Sequence, residues 1–405
     1  VTYYWEEVDV TDVVVIGAGI VGAACARSLA RRGLSVIVVD RGQAMSATSA
    51  SCEGNLLVSD KGPGAELDLA LVAIERWAET VDELTDELGA SLPSLEFERK
   101  GGLVVAVTDE GSEPLQAFAD TQRAVGVDAR VLAPDQAREL EPFLTQATTA
   151  VIHYPQDAQI QPVAAGEALL ASARRAGAEV RTGVEVTGPM MADGRLVGVR
   201  TTADDIPAGA VVVAAGPWSG VVSELLGAAV PVKPRRGMVL VTTRMPHRIF
   251  HKVYDGDYFG ATQSKDASLQ TSSVVESTAA GTVLIGSSRE QVGFDGRLRV
   301  EVLRELAAKA VTLFPFLQDA PVMRTYGGFR PYLDDHLPLI GADERLPGLW
   351  HASGHEGAGI GLSVATADLI TAQMLGGSPP VDPTPFRPSV DRLDRLGALT
   401  PEVTR

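Results

Sequence analysis

Apolar positions recur along the chain with two periods. Val13–Ile16 is a short all-apolar run, as expected of a strand buried on both faces of a parallel sheet. Between Ile20 and Arg32, the residues Val21, Cys25 and Leu29 fall at i, i+4 and i+8, one helical stripe, and Gly33 is placed to close that helix. Ser35–Val39 is a second buried strand, and it ends at Asp40. Together these segments predict a β-α-β unit. In Ala65–Leu88 the apolar residues Leu67, Leu71, Ile74, Trp77, Val81, Leu84 and Leu88 step by three and four, which predicts a long amphipathic helix ending at Gly89. Further helices are predicted at Gln161–Ala176, with Pro162 in its first turn, at Val302–Phe314, stopped by Pro315, and at Ile360–Met374, opened by Gly359. Gly102–Val107, Arg130–Leu132, Val180–Thr182, Val184–Val186, Val197–Thr201 and Ala210–Ala215 read as strands. Val239–Thr243 and Val283–Ile285 read as strands of a second, more antiparallel layer. After Gly376 the chain is Pro-rich, which predicts an irregular surface tail.

Segments of nucleotide-binding character thus occur at the start, middle and end of the chain, with sheet segments of another character between them. The expected organisation is a discontinuous α/β nucleotide-binding domain from residues 8–90, 150–225 and 335–380. A second domain would come from 91–149 and 226–334, and a tail from 381–405. With 405 residues, 45% of them hydrophobic, the chain can bury a core of that size. Its 52 acids against 35 lysines and arginines give a formal charge of −17. Such a surface repels phosphate backbones and anionic lipid, so nucleic acid and membrane-surface partners are not expected. Two cysteines, Cys25 and Cys52, are too few for a disulfide framework or an iron–sulfur site. His247 with His251, and His351 with His355, have i, i+4 spacing, but Pro246 and Gly354 argue against helical metal sites. Val1–Asp12 carries four acids and no lysine or arginine, and Val13–Ala26 is too short and Gly-rich to span a bilayer, so a cytoplasmic location is expected.

Gly17-Ala18-Gly19-Ile20-Val21-Gly22 matches G-x-G-x-x-G between the first strand and the first helix. The first glycine serves the tight turn, the second the approach of a pyrophosphate, the third close packing of helix on strand. The helix start offers N–H groups and a positive dipole end to that anion. Asp40, twenty-three positions after Gly17, is placed to accept the hydroxyls of an adenosine ribose, which favours a free 2′-OH. These features predict a dinucleotide and leave NAD and FAD undistinguished.

Further stretches extend the pattern: Ser46-Ala47-Thr48-Ser49-Ala50-Ser51, Lys100-Gly101-Gly102-Leu103, Asp157-Ala158-Gln159-Ile160-Gln161-Pro162, Val211 to Ser219, Gly328-Phe329-Arg330-Pro331 followed by Pro338-Leu339-Ile340-Gly341, and Gly348 to Leu362. In this order they resemble the D-amino-acid-oxidase family of FAD-dependent oxidoreductases over nearly the whole chain. The Gly-His-Glu-Gly-Ala-Gly-Ile form at 354–360 resembles the branch with hydrogen cyanide synthase and opine or D-hydroxyproline dehydrogenase flavoprotein subunits. The resemblance implies a glutathione-reductase-type Rossmann FAD-binding domain and a substrate domain with a mixed, largely antiparallel sheet. It implies that FAD contacts the glycine loop, Asp40, Arg41, Thr48, Ser49, Gly54, Asn55, Leu56, Val184, Ala215, Gly216 and Trp218. It also implies that Gly357, Ala358, Gly359, Ile360, Gly361 and Leu362 present N–H groups to the N1–C2=O edge of the flavin, where the helix dipole favours negative charge. No cysteine follows Cys52, so FAD is expected to be non-covalent.

The same resemblance implies that Arg330 holds a substrate carboxylate, a role that suits a planar, permanently charged guanidinium. Its alternative is a structural ion pair. Tyr254 and Tyr258 read equally as phenol donors over the flavin or as packing. His355 reads as a substrate-orienting residue or as a hydrogen-bonded core histidine, and Glu356 as an amine ligand or a solvated acid. The implied reaction is oxidation of the C–N bond of a small amino acid or secondary amine to an imine by hydride transfer. No strong general base stands out. The electron acceptor is oxygen, a quinone or a partner subunit, with hetero-oligomerisation an open option. The alternatives are oxidation of a 2-hydroxy acid or glycerol phosphate, and an electron-transfer subunit of a larger complex.

Overall fold

The computed structural model describes residues 10–256 and 264–398. Two eight-stranded sheets organise them. The first runs in the order Leu339–Ala342, Leu349–Ser353, Ile206–Val213, Thr11–Ile16, Val36–Asp40, Glu179–Thr182. All neighbours are parallel except the edge strand Leu339–Ala342. A hairpin, Val186–Ala192 with Arg195–Thr201, extends antiparallel from Ile206–Val213. The unbroken apolar run at 13–16 follows from burial on both faces. Val13 and Val15 join the core under the helices Ile20–Ala30, Pro162–Arg175 and Gly359–Leu375, while Val14 and Ile16 join a separate core on the opposite face.

The second sheet runs Val322–Tyr332, Lys233–Thr242, Val283–Arg289, Gln270–Ser277, Lys252–Asp255, Gly102–Ala106, Ala150–Tyr154, Arg130–Leu132. It is mixed and largely antiparallel, with one parallel pair, Lys252–Asp255 beside Gly102–Ala106. Alternation sorts its side chains. Met238, Leu240, Val283 and Ile285 pack in one core with Val302 and Leu306 of the helix Val300–Leu313. Val239, Val241 and Leu284 pack with Tyr326 in another.

Three features differ from the sequence expectations. Ala150–Tyr154 pairs into the second sheet rather than the first. Helices Asp109–Arg123 and Pro134–Leu140 fill stretches where no element was expected. The Pro-rich tail is packed rather than irregular: Phe386 and Leu393 are fully buried, and Arg392 donates to Asp335 and to the carbonyls of Leu337 and Pro338. Among the described residues no helix is long and apolar enough to cross a membrane.

Candidate active site

The parallel strands Thr11–Ile16, Val36–Asp40, Ile206–Val213 and Leu349–Ser353 all end toward one cleft, the crevice where an open α/β sheet binds its ligand. The cleft encloses a cavity of about 390 Å³. Its first wall is the glycine loop. Gly17 has φ +114°, and a Cβ there would collide with the Ala214 carbonyl. A Cβ on Gly22 would collide with the Gly17 carbonyl, so the helix lies on the strand as the third glycine predicts. Asp40 accepts from Ala18 N–H at 2.8 Å and from Gly42 N–H at 2.7 Å. A carboxylate has about four acceptor sites, so this one retains capacity for ribose hydroxyls. Ser49 Oγ accepts from Ile20 N–H at 3.0 Å and ties the Thr48–Ser51 turn to the helix start.

Val184 and the Ala214–Trp218 turn form the opposing wall. The Arg41 guanidinium lies 4.7 Å from the Trp218 ring centroid, and Trp218 stacks on Phe294 at 5.3 Å. At the far end, His355, Glu356, Gly357, Gly359 and Ile360 line the cavity at the start of the helix Gly359–Leu375, whose first turn holds no acid. Trp77 pins that helix start by donating to the carbonyls of Ile360 and Gly361, each at 3.0 Å.

Of the expected cofactor residues, Gly17, Gly19, Ile20, Val21, Asp40, Arg41, Thr48, Ser49, Val184, Ala215, Gly216 and Trp218 line this cavity, with Gly357, Gly359 and Ile360. Ala18 and Gly22 support it through the contacts above. Asn55, Ala358, Gly361 and Leu362 line a narrow adjoining recess with Asp60 and Lys61. Gly54 and Leu56 do not reach either space. Gly54 accepts from Ile160 N–H, and Leu56 is fully buried in the core.

The expected catalytic residues separate. Tyr254 is buried away from the cleft, where its hydroxyl meets Asp157 and Ser59, and burial followed by the Asp157 charge raises its pKa. Tyr258 lies outside the described residues. His355 faces inward, with Nε2 2.9 Å from Thr366 Oγ1, and burial pushes its pKa down to about 3, so its imidazole is neutral at physiological pH. Glu356 lines the cavity with its carboxylate tied to two side chains. Arg235 Nη1 donates to Oε1 at 2.6 Å, and His336 Nδ1 lies 3.1 Å from Oε2. Burial opposes its ionisation, yet the His336 hydrogen bond and the Arg235 charge hold its pKa below the usual carboxylate range. Glu356 also adopts φ +46°, a strained conformation that these contacts and its N–H bond to Pro331 maintain. Arg235, fully buried, escaped sequence reasoning because its partners come from distant segments.

Arg330 lies at the cleft end of the second sheet. Its Nη1 donates to Ser288 O at 2.9 Å, and its Nε is 3.7 Å from where a Gly357 side chain would begin. The guanidinium crosses the strand partner Gly237, where any Cβ would strike it. The cleft-lining Cys52 thiol sits nearby and donates to Thr48 O at 2.8 Å.

Known proteins resemble this chain in sequence and fold. Residues 12–373 match the family described as DAO, FAD dependent oxidoreductase. A glycine oxidase of Pseudomonas aeruginosa is 30% identical over 93% of this chain and 98% of its own. The hydrogen cyanide synthase subunit HcnC of the same organism is 29% identical over 93% of this chain and 95% of its own. The crystal structure of glycine oxidase from Geobacillus kaustophilus superposes with a TM-score of 0.83 at 25% identity, covering 93% of this chain and 98% of that one. On fold, cleft and sequence together, the chain belongs to the DAO family of FAD-dependent oxidoreductases.

Proposed function

We propose that this oxidoreductase oxidises the C–N bond of a small amino acid or N-substituted amino acid to an imine. The observation that carries the reading is the Arg330 guanidinium, cleared by Gly237 and set beside the cleft wall at Gly357. Relatives named glycine oxidase point the same way. The cleft fits FAD: Asp40 retains acceptor capacity, the glycine loop offers a helix N-terminus, and the helix at Gly359 offers a second one without an opposing acid. Bound there, FAD supplies an electrophilic ring that accepts hydride.

The chain's own residues do the rest. Arg330 pairs with the substrate carboxylate and fixes how the Cα–H is aimed. The helix start at Gly359, with no acid in its first turn, would offer partial positive charge to a flavin held in the cleft. His355 adds no charge at neutral pH. The Cys52 thiol, raised to about 12 by burial, with Glu53 reinforcing and Arg330 opposing, is not a thiolate at neutral pH, which suits non-covalent FAD. Acid precipitation should therefore leave a colourless pellet; a yellow pellet would contradict this.

The electron acceptor is oxygen, a quinone or a partner subunit, and the subunit named among the relatives supports the last of these. The test is anaerobic titration of the yellow protein with glycine, N-methylglycine and D-, L- and cyclic amino acids, alongside 2-hydroxy acids. Bleaching of the flavin band by an amino acid is expected. Bleaching by hydroxy acids alone would overturn the reading in favour of C–O oxidation.

A further inference from the structure

An α-amino acid presents two charges, and Arg330 answers only one. The second sheet carries three glycines on the face toward the cofactor domain, each opposite a group that a side chain would displace. Gly237 lies under the Arg330 guanidinium, Gly328 against Ser51, and Gly286 against the carboxylate of Glu53. Glu53 lies two residues beyond the Thr48–Ser51 turn and is buried. Its Oε1 has no hydrogen-bond partner among the described residues, and its Oε2 receives only a long contact, 3.4 Å, from Asn55 Nδ2. A buried carboxylate oxygen without a donor is costly, and such a group calls for a ligand. In the acid Glu356, by contrast, each oxygen already has a partner, Arg235 Nη1 on Oε1 and His336 Nδ1 beside Oε2.

Glu53 and Arg330 lie on one patch. Strand 233–242 pairs with strand 283–289 at Leu240↔Ile285, and Met238 N–H donates to Ser288 Oγ at 3.0 Å. Arg330 Nη1 donates to Ser288 O at 2.9 Å, two residues along that strand from Gly286, against which Glu53 Oε1 packs. Cys52, which lines the cavity, immediately precedes Glu53 in the chain.

We propose that Glu53 is the binding partner of the substrate's amino group, so that Arg330 and Glu53 together select a zwitterion. This rests on the reading of the protein as an amino-acid oxidoreductase and narrows it. A primary or secondary ammonium donates to Glu53 Oε1 while the carboxylate pairs with Arg330. A 2-hydroxy acid offers only a neutral hydroxyl to a charged acceptor and binds less well.

The experiment compares FAD-loaded wild-type protein with Glu53→Gln. Two ligands are used: the amino acid that bleaches the wild-type flavin fastest, and the monocarboxylate of the same skeleton lacking the amine. Dissociation constants come from rapid anaerobic reduction and from flavin spectral perturbation. The expected result is a weakening of about tenfold or more for the amino acid, with the amine-free acid bound equally by both proteins. Equal binding of the amino acid by both would overturn the assignment, and so would equal weakening of both ligands. If Glu53→Gln does not retain FAD, wild-type protein alone decides. It should bind the amino acid about tenfold or more tighter than the matching 2-hydroxy acid, and equal binding would overturn the assignment. Failure of the underlying reading is distinct: no amino acid would bleach the wild-type flavin at all.

Discussion

The two ends of the cleft are built differently. At the Asp40 end, one uninterrupted strand–helix–strand unit supplies the turn, the helix N-terminus and the carboxylate, and its ligands are largely backbone N–H groups. At the Arg330 end, the polar groups come from strands 233–242, 283–289 and 322–332 and from the segments at 52–55 and 355–357. The first end can bind a constant ligand because its geometry is fixed by local conformation. The second is held in place by long-range packing between segments distant in the chain. A cofactor site conserved in shape beside an adjustable substrate site is what allows one fold to carry many substrates.

Substitutions at the two ends should therefore fail in different ways. The largest effect is expected from Glu356→Ala, which leaves Arg235 buried without its carboxylate. Unpairing a buried ion costs about 3–5 kcal/mol, to be read as a loss of thermal stability in the FAD-loaded protein. Next comes Gly22→Ala, which forces the first helix away from its strand. A loss of about 1–3 kcal/mol is expected, with a reduced FAD-to-protein ratio, whereas the Arg330 end should be untouched. Unchanged FAD content would show that the loop tolerates more than its geometry suggests.

A further effect concerns pH. His355 has a folded pKa of about 3, below the ordinary value near 6.5. Between these values the unfolded chain binds a proton that the folded chain does not. Stability should thus be complete above pH 6.5 and fall as pH is lowered toward 3, by at most about 1.4 kcal/mol per unit. His355→Asn should flatten the dependence of melting temperature on pH between 7 and 5; an unchanged slope would assign it to other groups.

The same contrast explains what could be read from the chain. The strand at 13–16, the glycine loop, the helix that follows and Asp40 were legible because each depends on neighbours within a few residues. Helix 65–88 was legible from its period. Tyr254 and Tyr258 were not separable from packing aromatics by sequence, and Tyr254 is in fact held by Asp157 and Ser59 beneath the sheet. Glu53 gave no signal, because its importance depends on Gly286, which lies far away in sequence. Glu356 stood beside a recognisable glycine motif, yet its partners Arg235 and His336 could not be inferred from spacing. Arg330 stands in the Gly-Phe-Arg-Pro stretch that carries the resemblance, and sequence could not reveal Gly237, the glycine that makes room for its guanidinium.

The most direct measurement is binding of an amine-free monocarboxylate to the FAD-loaded protein, followed by perturbation of the flavin spectrum, in wild type and in Arg330→Met. Saturable binding by the wild type is expected, with a loss of about 100-fold in Arg330→Met and FAD content preserved. Equal affinity in the two proteins would mean that the guanidinium does not hold the carboxylate.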